Sequence, residues 1–329
     1  MIKRFMGLTL ITITLAVVLP GCGNHEKAAE MEVAAANVET TGEIIAEETG
    51  EYTFQDDLGR TVTVTSHERV ATLMGSFADI WLLAGGNIVA SSRDTWTSFD
   101  LGLSEDVVNI GNLLEPDMEQ LIAAQPDLVI ASANLDAQIE LEETLTQAGI
   151  ATAYFDVNNF DDYLHMLDIC TQITGKTEQY DTYGTAVQKQ VDAAIAKADG
   201  STPKILYLRA SSDNVKAKGS VGNVGSEILR ELGCLNIADS DESRLEDISM
   251  ETIITEDPDY IFVTTQGENT EQAMQVVEDI LLTNPAWNSL TAVKNGNYYV
   301  LDKRLYNSKP NAKWGEAYEK LADILYGEE

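Results

Sequence analysis

Five basic side chains stand out because the chain has so few: Arg93, Arg209, Lys216, Lys218 and Lys309 belong to 21 lysines and arginines set against 54 aspartates and glutamates, a formal charge of −33. All five fall in short segments that follow expected β-strands. There they can give charge-assisted hydrogen bonds to the oxygens of an anion. Neighbouring segments of the same kind carry Ser76, Asn134, Gln266 and Tyr306, uncharged groups able to orient a ligand, and Trp96, a flat face for stacking. A plainer use for each base is a local acid, as Asp94 offers Arg93. A field negative elsewhere and positive in one cleft would draw an anionic small molecule inward.

Catalysis has little to build on. The chain has no GxSxG, P-loop, HExxH or full GxGxxG, since Gly219, Gly222 and Gly225 are spaced by threes. A catalytic triad needs a positioned histidine, and His25, His67 and His165, the only three, fall at no expected strand end. The same scarcity argues against a directly bound zinc or manganese ion. Met74, Tyr207 and Tyr306 remain as axial ligands for a haem. Cys170 and Cys234 have no CxxC spacing and are expected to be buried free thiols. Residues 52–329 hold 18 bases against 46 acids, a balance that repels nucleic acid and anionic lipid. The expectation is a non-enzymatic binder with no cofactor of its own.

The elements that would position these groups fall into a simple order. Residues 1–22 have Lys3 and Arg4, then an apolar run too short to span a bilayer, and end Leu19-Pro20-Gly21-Cys22. That ending resembles the lipobox of bacterial lipoproteins, which implies a lipid on Cys22. Residues 23–51 are acidic and poor in large apolar groups, and read as a flexible linker. A hairpin is expected over 52–64, with Gly59 at its turn. Strands 69–74, 88–91, 128–132 and 151–155 then alternate with helices 77–84, 118–125 and 139–148, the pattern of a parallel sheet.

Residues 161–198 run without proline and with helical periodicity, a long helix bent at Gly175. The alternation restarts with strands 204–208, 260–264 and 298–301 and helices 227–232, 250–256, 271–281 and 312–326. The organisation is an N-terminal lobe (52–160), an inter-lobe helix (161–198) and a C-terminal lobe (199–329). An internal repeat supports two similar lobes. Asp117-Met118-Glu119-Gln120-Leu121-Ile122 precedes Pro126-Asp127, and 132 residues later Ser249-Met250-Glu251-Thr252-Ile253-Ile254 precedes Pro258-Asp259. In such lobes ligands sit outside the carboxyl ends of the strands, where the basic segments fall.

Several strings, in this order and spacing, carry a resemblance: Asp57-Leu58-Gly59-Arg60-Thr61-Val62, Arg69-Val70-Ala71, Ile110-Gly111, residues 222–233 before Asn236-Ile237, and Lys309-Pro310-Asn311-Ala312-Lys313-Trp314-Gly315. Over residues 52–326 the chain resembles the substrate-binding proteins of bacterial iron-siderophore, haem and vitamin B12 importers. The resemblance implies two Rossmann-like α/β lobes with mainly parallel sheets, joined by one long rigid helix, with the ligand between them and only modest closure. It implies capture of a ferric siderophore, with haem or a corrinoid (cobalamin or cobinamide) as alternatives, for an ABC permease dimer and its ATPase. An adhesin or scaffold is the less favoured use of such lobes. The protein would act as a monomer at the outer face of the cell membrane, in the periplasm of a Gram-negative source, touching the membrane through its lipid alone. Glu119 and Glu251 match the carboxylates that dock family members on the permease, although a carboxylate there also complements a helix dipole.

Overall fold

The computed structural model of the chain describes residues 51–240, 250–267 and 269–327. The segments expected to be an export leader, with Cys22, and a linker as far as residue 50 lie outside the described residues, as does Ser249.

Alternation of apolar and polar residues makes Tyr52–Gln55 and Thr61–Val64 an antiparallel hairpin, with Val62 and Val64 buried and Thr61 and Thr63 exposed. Its turn is fixed by the buried Asp56 carboxylate, which accepts the Leu58 and Arg60 backbone N–H groups and pairs with the Arg60 guanidinium at 2.6 Å. Beneath it lies a five-stranded sheet in the order Val108–Asn109, Ile88–Ser91, Val70–Thr72, Leu128–Ser132, Ala151–Phe155, every pair parallel. Leu128–Ser132 is buried at all positions, as a strand covered on both faces must be.

The second sheet runs Val215–Ala217, Lys204–Ala210, Tyr260–Thr265, Tyr298–Val300, and Leu235–Asn236 also pairs with Lys204–Ala210. Its pairs are parallel except that of Val215–Ala217. Expected mainly parallel sheets are therefore what the chain forms. The internal repeat is also structural. Gln125 and Asp257 both take positive φ, 50° and 43°, before the proline. The carboxylates of Asp127 and Asp259 then accept the N–H of Arg69 (3.2 Å) and Lys204 (2.9 Å) at the neighbouring strand.

Between the sheets the chain differs from the single bent helix expected over 161–198. The helix Phe160–Thr174 opens on a capping box formed by Asn159 and Asp162, and stops at Gly175 with φ 68°. That left-handed conformation costs a glycine little and ends a helix rather than bending it. A second helical stretch follows through Glu178–Tyr180, a π-turn at Asp181–Thr185, and Ala186–Ile195. The first helix packs on the N-terminal lobe, against Gly75–Leu83, and the second on the C-terminal helix Trp314–Tyr326.

One buried apolar cluster runs through both lobes and this connection. It includes Phe77 and Trp81, Tyr163 and Leu167, Val191, and Tyr207, Trp314 and Tyr318. Phe160 meets Trp314 edge-on at 5.9 Å between ring centres. Burying such surface is worth about 25 cal/mol per Å², so wide separation of the lobes would be costly. Two further clusters fill the outer faces of the two sheets.

Candidate ligand-binding site

At the carboxyl ends of the strands the two lobes face each other across a cleft of about 520 Å³. The N-terminal lobe supplies Met74 and Ser76 at the start of helix Gly75–Leu83, Arg93, Asp94 and Phe99, and the pair Leu113-Leu114. The C-terminal lobe supplies Gln266, Lys303, Asn307, Ser308 and Lys309. A smaller inner pocket of about 130 Å³ shares Asn307 and Lys309 with the cleft. Its other lining residues include Asn158, Tyr207, Arg209, Asn223, Thr264 and Tyr306.

The two compartments differ in chemistry. Met74, Phe99, Leu113, Leu114 and Leu135 give the outer cleft an apolar wall. The inner pocket holds two cations: the Arg209 guanidinium, 3.5 Å from Asn223 Oδ1, and the Lys309 ammonium. Burial pushes Lys309 below the ordinary lysine value, partly opposed by the charges of Asp156 and Asp162, and it lowers Arg209 in the same way. Helix Val224–Glu231 begins at this pocket, and its first N–H groups add to the positive potential. The Ser76 hydroxyl on the outer wall is buried without a hydrogen-bond partner among the described residues. This arrangement suits a molecule with anionic oxygens at one end and apolar surface at the other.

Of the ten residues singled out from sequence, Ser76, Arg93, Gln266 and Lys309 line the cleft, and Arg209, Tyr306 and again Lys309 line the inner pocket. Trp96, Asn134, Lys216 and Lys218 line neither. Trp96 sits half-buried in the π-turn Thr95–Phe99, where Phe99 takes the cleft position. The Asn134 amide donates to Asp156 and Asn158. Lys216 belongs to the antiparallel edge strand, paired with Arg209, and the Lys218 N–H donates to the Tyr207 carbonyl at 2.9 Å.

Sequence reasoning missed Asn158, Asn223, Phe99, Leu113, Leu114 and Lys303. Leu113 and Leu114 form the tip of a tiny hairpin, Gly111–Asn112 with Glu115–Pro116. The available signal was Asn112, whose side chain accepts the Leu114 N–H at 2.9 Å and turns the chain.

Behind the cleft the lobes are bolted together. Arg304, on the short helix Lys303–Tyr306, reaches Asp79 of the other lobe at 2.8 Å and lies 4.2 Å over the Phe99 ring. The buried Asn311, at φ 57°, donates to the same Asp79 carboxylate (2.8 Å) and to the Ser76 carbonyl (2.9 Å). These contacts set the distance between Ser76 and Phe99 on one wall and Lys309 on the other.

Comparison with known proteins decides what kind of molecule carries this cleft. The profile of the periplasmic binding protein family matches residues 70–305. The chain belongs to that family. Its members are substrate-binding proteins that work outside the cytoplasm, and no helix among the described residues is long and apolar enough to cross a membrane. The chain is similar to the Fe(3+)-citrate-binding protein YfmC of Bacillus subtilis, at 25% identity over 279 residues, 82% of this chain and 84% of that protein. It is also similar to the iron(3+)-hydroxamate-binding protein FhuD of the same organism, at 22% identity, covering 92% and 91% of the two chains. The structure of SirA of Staphylococcus aureus complexed with staphyloferrin B shares the fold, with a TM-score of 0.64 at 21% identity, covering 83% of this chain and 97% of that one.

Proposed function

We propose that the protein captures an anionic ferric chelate of the siderophore type and delivers it to an ABC importer. The observation that carries this is the inner pocket, lined both by Arg209 at the end of the strand Lys204–Ala210 and by Lys309 after the short helix Lys303–Tyr306, with no ion-paired acid among the described residues. Anionic oxygens of a chelate would complete both cations, and its outer surface would rest on the apolar wall. Iron-chelate binding by the relatives named above agrees with this reading.

Haem and corrinoids are the alternatives within the same importer class. A haem iron would look for a thioether or a phenolate: Met74 lines the outer cleft, whereas the two tyrosines that line the inner pocket are otherwise engaged. Tyr207 donates to the Tyr306 carbonyl at 2.8 Å and Tyr306 to the Ala317 carbonyl at 3.0 Å. Burial raises both phenols, which disfavours the ionised form a metal would take. A corrinoid has no need for the paired cations.

In this reading Cys22 carries the lipid, residues 23–51 tether the clamp near its permease, and the exposed Glu119 and Glu251 meet cations on the two permease subunits. The protein works as a monomer, without catalysis and without a cofactor. Native mass spectrometry against ferric citrate, a ferric hydroxamate, a ferric catecholate, haem and cobinamide tests it. A mass shift with a ferric chelate supports it. A shift with haem or cobinamide alone, or with none of the five, discards it.

A further inference from the structure

The inner pocket is too small for a whole chelate. It measures about 130 Å³ against about 520 Å³ for the outer cleft. At about 30 Å³ per water it has room for roughly four waters, enough for a carboxylate and the carbon that bears it but not for an octahedral iron centre. Asn307 and Lys309 line both compartments, so a group in the pocket can hang from a body in the cleft. Register sets two of its donors side by side, because Arg209 and Thr264 are partners on neighbouring parallel strands. The Thr264 hydroxyl, 1% exposed, has no hydrogen-bond partner among the described residues. The Arg209 guanidinium reaches Asn223 Oδ1 at 3.5 Å. Near Lys309 stand two acids that are committed elsewhere: Asp156 accepts the side-chain amides of Asn134 and Asn158, and Asp162 accepts the Asn158 backbone N–H at 2.8 Å. No carboxylate, thiol or imidazole lines the pocket among the described residues. Its chemistry therefore answers an organic anion and not a metal.

We propose that the inner pocket is a subsite for one carboxylate that iron does not hold, so that the protein favours chelates with a pendant carboxylate and binds an iron-free acid at the same place. Oxygens that ligate iron share their charge with the metal and point toward it. A pendant carboxylate keeps its full charge and has both oxygens free for Arg209 and Lys309. A chelate whose every anionic oxygen is taken by iron would fill the outer cleft and leave the two cations unanswered. The subsite follows from the pocket alone, whereas naming a pendant-carboxylate chelate as the cargo rests on the ferric-chelate reading above.

The test uses the full chain, with iron-free tricarballylate, a small tricarboxylate, as the first probe. Tricarballylate should slow acetylation of Lys309 by acetic anhydride about fivefold or more, read by mass spectrometry, and leave the rate at Lys216, outside both cavities, unchanged. Arg209→Gln should weaken its binding about tenfold in isothermal titration. The second probe is a matched pair of ferric hydroxamates: N-succinyl-ferrioxamine B has a pendant carboxylate, and N-acetyl-ferrioxamine B has none. The succinyl form should bind at least about tenfold tighter. No protection of Lys309, stronger protection by inorganic phosphate than by tricarballylate, or equal measurable affinity for the two ferrioxamines would overturn the proposal. Should the protein bind neither ferrioxamine nor ferric citrate while tricarballylate still protects Lys309, the chelate reading falls and the carboxylate subsite stands. Equal capture of both ferrioxamines without protection of Lys309 sinks the subsite and leaves the chelate reading in place.

Discussion

Asp79 and Arg304, 225 residues apart in sequence and in different lobes, form an ion pair at 2.8 Å behind the ligand cleft. Asn311 donates to the same carboxylate, and both charged side chains are largely shielded from water. The pair therefore fixes the spacing of the cleft walls, together with the apolar cluster that runs through both lobes. Small closure about a preformed cleft follows, because moving one lobe far would strand a desolvated charge.

Removing one partner of this pair is expected to be destabilising. Asp79→Ala leaves Arg304 desolvated and should cost about 2–4 kcal/mol in urea unfolding, with a larger radius in small-angle scattering. Burial raises the Asp79 carboxyl above its ordinary 3.8, although Arg304 and Asn311 oppose it. Between 3.8 and the folded value, and only there, the folded state therefore holds a proton that the unfolded chain has lost. Stability from this group falls as pH rises from 3.8 through the folded value, and Asp79→Asn should flatten that segment of the stability profile.

His165 gives the opposite window. Its ring lies 3.6 Å from the Asp57 carboxylate, and that neighbouring carboxylate raises it above 6.5. The stabilisation is fully present below 6.5 and is lost as pH rises through the folded value. Half-exposure and screening keep it under about 1 kcal/mol. His165→Asn should remove this slope from thermal unfolding measured between mildly acidic and alkaline pH.

The cleft's apolar wall and the outlying lysines separate two kinds of contribution. Leu114→Asn places a polar group on that wall and should weaken chelate binding by about three- to tenfold in fluorescence titration. Lys216→Met, on the edge strand outside both cavities, should leave the affinity within about twofold.

Cys170 and Cys234 are free and buried, as their spacing suggested. Burial pushes the Cys234 thiol up to about 12 and raises that of Cys170 as well. Neither should react with iodoacetamide at pH 8 in the native protein, and both should react once it is unfolded in urea, as read by intact mass.

Much of this architecture was legible in the sequence. The strands Ile88–Ser91, Leu128–Ser132 and Ala151–Phe155 match the expected ranges, because buried parallel strands are apolar runs bounded by turn residues. The helix expected over 139–148 is instead two short ones, Asp136–Ile139 and Glu142–Gln147, and the long connection breaks at Gly175. Periodicity survives a one-turn interruption, so it does not report one. Arg209 and Lys309 were found because strand ends are where such lobes bind. Phe99 was missed in favour of Trp96 because both rings lie in one π-turn, and only the turn's geometry decides which meets the cleft. Val215–Ala217 is three residues with a lysine at its centre, too short for an alternation signal, so Lys216 was read as part of a loop.

The central claim is that Arg209 and Lys309 together hold an anionic ferric chelate. Isothermal titration of the protein with ferric citrate, a ferric hydroxamate and a ferric catecholate, repeated with Arg209→Gln/Lys309→Met, tests it most directly. The account predicts micromolar or tighter binding of at least one chelate, weakened on the order of 100-fold in the folded double variant, as expected for the loss of two charge-assisted contacts. Binding of none of the three by the wild type, or equal binding by the double variant, would contradict it.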